Sequence, residues 1–158
     1  MAADLSPAGR RKSRLRAELQ LLAARYGTVN SDQRDGAWIY VPHFPLPRGW
    51  NKREVEILID VPYGNPGYPH VPPEWFWTDR KLAASDGRPI SHFFNQRSQN
   101  YRNYADRMYL DKGWGHFCVH LTAWRPAAGL RLREGHTLLS YLDLIATIFR
   151  DRRTLAGW

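Results

Sequence analysis

The sequence predicts an α+β domain: an N-terminal helix, an antiparallel β-meander, a long polar connection and a C-terminal helix packed on the sheet. Three observations lead there. Apolar residues near the N-terminus recur at helical spacing, the stretch from Glu54 to Val61 alternates with period two, and residues 136–149 return to helical spacing. The chain has 158 residues, 43% of them hydrophobic and seven of them tryptophan, enough for one core and too few for two comfortable domains. A single domain over 1–158 is expected, with its core at about 6–151 and flexible tails at 1–5 and 152–158.

Taken in order, Ser6-Pro7 supplies the cap and first turn of the first helix. Leu15, Leu19, Leu22 and Ala23 form its apolar stripe, and Gly27 ends it after Tyr26. Three strands follow. Ala37-Trp38-Ile39-Tyr40-Val41 is rich in β-formers and is expected to stop at Pro42. Glu54 to Val61 places Val55, Ile57, Ile59 and Val61 on one face, and Pro62 ends it. Trp75-Phe76-Trp77 follows a double proline that denies helix to its predecessors. Between the last two strands, Tyr68-Pro69-His70-Val71-Pro72-Pro73 stiffens the link and lowers the entropy lost in fixing it, a structural role. Residues 82–112 are polar, and a connection of that length carries either function or structure of its own. Thr137 then caps a helix whose stripe is Leu138, Leu142, Ile145 and Phe149.

The net charge is +8, its densest basic stretch runs from Arg10 to Arg16, and such charge steers acidic partners of any kind. No nucleic-acid reader motif accompanies it, so nucleic acid is not an expected partner. Neither is a membrane: no apolar run is long enough to span one, and the early arginines interrupt what a signal peptide would need as its apolar segment. A single cysteine suits a reducing compartment, which predicts a cytoplasmic protein.

That cysteine, Cys118, lies in Gly115-His116-Phe117-Cys118-Val119-His120. A lone thiol forms no internal disulfide and no multi-cysteine zinc site, which leaves packing or nucleophilic chemistry. If the segment is extended, period two puts His116, Cys118 and His120 on one side. A neighbouring imidazolium then raises the thiolate fraction. Against this stand a buried packing thiol and a His-x-Cys-x-His metal site. The metal reading lacks an evident fourth ligand, so no metal is expected. No local signature of a cysteine hydrolase is present.

Tyr68-Pro69-His70-Val71-Pro72-Pro73, the later Gly-x-hydrophobic-Cys ending at Cys118, then Trp124-Arg125-Pro126 and a long amphipathic helix resemble, in order, the ubiquitin-conjugating (UBC) family. The resemblance runs roughly from Arg14 to Arg150 and implies a UBC-like fold with an active-site loop between the meander and the C-terminal helix. It gives Cys118 the role of thioester-forming cysteine, with Tyr68, Pro69, Pro72, Pro73, Trp124 and Pro126 as structural motif positions. Arg10, Arg11, Arg14 and Arg16 correspond to the basic first-helix face that docks the activating enzyme in that family. The implied partners are an activating enzyme, a ubiquitin-like protein and an acceptor protein. ATP is consumed by the activating enzyme, so no cofactor is expected on this chain.

Two departures accompany the resemblance. The family's His-Pro-Asn, upstream of the cysteine, is replaced by Met108-Tyr109-Leu110, which leaves the oxyanion-stabilising role to Asn95, Asn100, Asn103, His116 or His120. The spacing from Cys118 to Trp124 is also shorter than usual, and His120 stands where many members carry an acid. A compact chain of this kind is similar to the bacterial branch of the superfamily, whose members are encoded with a JAB-type deconjugating peptidase in operons associated with antiphage defence. The competing reading is a non-catalytic module of the same fold that binds a ubiquitin-like protein.

Overall fold

Ser6 begins the first helix by accepting the Gly9 N–H on its hydroxyl at 3.0 Å, and Pro7 sits in the first turn, where its missing N–H is no loss. Helix α1 runs from Pro7 to Tyr26 and closes at Gly27, whose φ of 78° suits glycine and whose N–H reaches Ala23 O at 2.9 Å. The computed structural model describes residues 6–95, 109–119 and 121–151, so the expected tails lie outside the described residues. The face that α1 buries is not purely apolar. Leu15 and Leu22 go inward together with Arg14 and Glu18, whereas Ala23, expected on the stripe, is exposed.

Six antiparallel strands form one sheet in the order β1-β2-β3-β4-β6-β5: β1 Asn30–Ser31, β2 Trp38–Pro45, β3 Glu54–Asp60, β4 Trp75–Asp79, β5 Phe93–Phe94 and β6 Trp114–Cys118. Strand β2 does not stop at Pro42. Its register shifts between Val41 and Phe44, and a residue without an N–H is tolerated where the ladder is interrupted. Strand β5 gives the long polar connection part of its own structure. It approaches β6 closely because residue 115 is glycine: a Cβ there would meet the Phe93 ring at 2.7 Å.

One face of the sheet carries Ile39, Val41, Ile57, Ile59, Phe76 and Phe117, all buried. Helix α2, Leu138–Arg150, covers them. Thr137 and Ser140 form its capping box, and Leu138, Leu142, Ile145 and Phe149 are buried as the spacing predicts. The Phe149 ring meets those of Phe44, Trp50, Phe76 and Phe117 at centroid distances of 5.2–6.1 Å. Each such side chain contributes roughly 1.5–3 kcal/mol of burial. By period two, Trp38, Tyr40, Leu58, Trp77, His116 and Cys118 then point to the opposite face, away from the helices.

A buried polar cluster joins α1, the proline-rich turn and α2. Glu18, 1% exposed, accepts hydrogen bonds from Arg14 Nε, the Tyr68 hydroxyl and the Leu138 backbone N–H, each at 2.7 Å. Its negative charge at the start of α2 also complements the helix dipole. Arg14 distributes its remaining N–H groups to the carbonyls of Ala127, Gly129 and His136.

Candidate active site around Cys118

Strand β6 brings Cys118 and His116 to the open face of the sheet with the alternation expected from their spacing. His116 Nε2 lies 3.6 Å from Cys118 Sγ, within range of a hydrogen bond to sulfur. The cross-strand partners are Trp75 for Cys118 and Trp77 for His116. The imidazole is buried, stacked on Phe94 at 4.9 Å and 22° and tilted against Trp77 at 6.3 Å. Cys118 itself is partly exposed. Its backbone is held on both sides, by Cys118 N–H to His92 O at 3.2 Å and by Val119 N–H to Glu74 O at 2.8 Å.

This geometry serves a nucleophilic thiol in either protonation state of the histidine. A neutral Nε2 accepts the thiol proton as sulfur attacks, and a protonated one donates to the thiolate. Cys118 is not fully buried in the core. Among the described residues, no group of three His, Cys, Asp or Glu side chains is placed to hold a metal ion.

Of the oxyanion candidates, Asn100, Asn103 and His120 lie outside the described residues. Asn95 is described, and its Nδ2 donates to Arg80 O at 2.9 Å. His116 is the candidate that the structure brings to the thiol.

The two halves of the sequence motif meet directly. Trp124 Nε1 donates to Pro69 O at 2.7 Å, and the Trp124 ring lies 6.3 Å from that of Tyr68. On its other contact, Trp124 stacks on His136 at 5.1 Å and 17°, and Pro126 bridges to the same histidine. Pro73 is buried, and Pro69 and Pro72 are half-buried. Tyr68 is 3% exposed, and burial, reinforced by the Glu18 charge, pushes its phenol well above the usual range, so it remains a hydrogen-bond donor at neutral pH.

Only part of the basic face expected on α1 is exposed. Arg14, 3% exposed, is committed to Glu18 and the loop carbonyls, and so is a structural residue with no surface for docking. Arg11 is half-buried; it donates to Pro62 O, Tyr68 O and Gly36 O at 3.0–3.1 Å and lies 5.1 Å over the Tyr63 ring. Arg11 thereby holds the proline-rich turn against the helix, and Arg14 holds the loop around residues 127–136. Arg10 and Arg16 are exposed. Sequence reasoning missed Glu18, whose one signal was its position four residues after Arg14 and between the inward Leu15 and Leu22.

Among the described residues, no helix is long and apolar enough to cross a membrane. No curated protein and no solved structure matched. The family model of prokaryotic E2 family E matches residues 16–132 of the 158, a span that contains α1 from Arg16, the whole sheet, Cys118 and Trp124-Arg125-Pro126, and the chain belongs to that family.

Proposed function

We propose that this chain accepts a ubiquitin-like protein from an activating enzyme as a thioester on Cys118 and passes it to an acceptor amine or hydroxyl. Membership of an E2 family implies a conjugating transferase that works with those two partners. The observation that carries the assignment to Cys118 is the 3.6 Å contact between a partly exposed thiol and a buried imidazole.

In the first step the Cys118 sulfur attacks the carbonyl carbon of the incoming thioester. A new C–S bond forms, the old one breaks, and the activating enzyme's thiolate leaves. His116 takes the Cys118 proton if the thiol enters protonated. In the second step the acceptor nitrogen or oxygen attacks the same carbon, its proton passes to solvent water, and the C–S bond breaks as Cys118 departs as thiolate. ATP is consumed before either step, on the activating enzyme, so this chain uses no cofactor. The setting we propose is cytoplasmic, within a bacterial antiphage conjugation system that includes a JAB-type deconjugating peptidase.

The test is charging by a cognate activating enzyme, ubiquitin-like protein and ATP, read on non-reducing gels. A thiol-sensitive adduct is expected, lost in Cys118→Ala. An adduct that persists in Cys118→Ala removes the role of this cysteine, and the absence of any adduct with an active activating enzyme replaces the transferase with a non-catalytic binding module.

A further inference from the structure

Strand β6 lies between β4 and β5, so its outward side chains have a neighbour on each side. Opposite His116 stand Trp77 on β4 and Phe94 on β5, and residues directly opposite share a face of the sheet. The two rings meet the imidazole differently. Phe94 stacks on it at 4.9 Å with planes 22° apart, whereas Trp77 is tilted by 50° at 6.3 Å.

Strand β5 has only two residues, yet the segment around it is tied to β6 at each step. His92 leads into it with a φ of 55°, a conformation uncommon outside glycine that persists only where the surroundings fix it. Its carbonyl accepts the Cys118 N–H at 3.2 Å. Phe93 stacks on Phe117 at 4.5 Å and 19° within the core, and Phe94 stacks on His116 across the open face. Asn95 then donates to Arg80 O at 2.9 Å, which fastens the far end of the segment to the end of β4. Residues 92, 93 and 94 thus hold 118, 117 and 116 in turn. Glycine at 115 permits the approach, since a Cβ there would lie 3.0 Å from that of Asn95.

The last torsion of a histidine side chain has a broad minimum, so the side chain alone does not aim Nε2 at a neighbour. A stacked ring does, because it fixes the plane of the imidazole. We propose that Phe94 is a positioning residue: its ring sets the plane of His116 so that Nε2 faces Cys118 Sγ at 3.6 Å. The inference rests on Cys118 as the nucleophile of the proposed transfer, and places the alignment of its histidine in the long connection ahead of β6. The effect of Phe94 passes through His116, so a double-mutant cycle reads it directly.

The experiment measures alkylation of Cys118 by iodoacetamide in the native full chain near neutral pH, with a thermal melt of each variant. Phe94→Leu and Phe94→Met keep an apolar side chain without a ring and are each expected to slow alkylation about 3- to 10-fold. Phe94→Tyr keeps the ring and is expected to stay within about twofold of wild type. In a His116→Ala background, Phe94→Leu is expected to change the rate by less than about twofold. Phe94 is half-buried on the open face, so neither ring-less variant opens the core. Looser packing alone exposes the sulfur and speeds alkylation, the opposite sign. A rate unchanged or raised in both ring-less variants, equal slowing with and without His116, or a Phe94→Tyr as slow as Phe94→Leu overturns the proposal. The assay needs neither modifier nor activating enzyme, so alkylation indifferent to Phe94 in a protein that charges on Cys118 overturns this inference alone.

Discussion

His116 and Cys118 form the smallest unit of the account. A histidine nitrogen lies 3.6 Å from the sulfur in the chain alone, before any partner arrives. We therefore expect His116→Ala to slow iodoacetamide alkylation of the native protein several-fold near neutral pH, with a thermal melt as the control for lost packing on Phe94. An unchanged rate would mean that the imidazole only packs. This pair was legible in the sequence because an extended strand has a fixed period of two, and β6 is regular from Trp114 to Cys118. Glu18 was not legible. Arg14 and Glu18 are four residues apart, but the groups that complete their cluster, Tyr68 and Leu138, lie 50 and 120 residues from Glu18.

At the level of elements, the Glu18 cluster couples α1, the proline-rich turn and the start of α2. Removing the carboxylate leaves the Arg14 charge buried, so Glu18→Ala is expected to lower stability by about 3–5 kcal/mol in denaturant titrations. Tyr68→Phe removes one hydrogen bond to a charged acceptor and is expected to lower it by about 1.5–3 kcal/mol. Tyr141 contrasts with Tyr68. Its buried hydroxyl has no hydrogen-bond partner among the described residues, so Tyr141→Phe should leave stability at pH 7 unchanged or raised.

Both phenols have a raised pKa in the folded state, Tyr68 and Tyr141 through burial first and through the Glu18 and Glu74 charges second. The unfolded chain releases these protons near pH 10 and the folded one only above it. Their contribution is thus fully present below about pH 10 and falls above it, by about 1.4 kcal/mol per pH unit for each tyrosine. Replacing either one by phenylalanine should flatten the alkaline limb of the stability curve. An alkaline limb identical in wild type and both variants would contradict this.

For the whole molecule, the meander and both long helices were legible because each presents one apolar face at a fixed period, as β3 does with Val55, Ile57 and Ile59. The two-residue strands β1 and β5 carry too few residues for a period to register. Pro42 misled because its effect depends on the ladder around it, which the register shift of β2 supplies. The docking face of α1 was overdrawn for a similar reason: charge is visible in sequence but burial is not, and Arg14 and Arg11 face inward. Exposed Arg10 and Arg16 remain as the residues we propose for meeting an activating enzyme. Their joint replacement by glutamate is expected to slow charging at low ionic strength, with the difference shrinking at high salt and alkylation of Cys118 unaffected. A defect that persists at high salt would point to lost structure instead of lost steering.

The most direct test of the central claim locates the modifier on the chain. Cys118→Ser should replace the labile thioester by a stable ester, so that after charging and proteolysis the C-terminal remnant of the ubiquitin-like protein is found by mass spectrometry at position 118. A remnant at that position, resistant to thiol and sensitive to hydroxide, is the predicted result. A remnant confined to Lys12, Lys52, Lys81 or Lys112, at levels equal in wild type and Cys118→Ala, would contradict it.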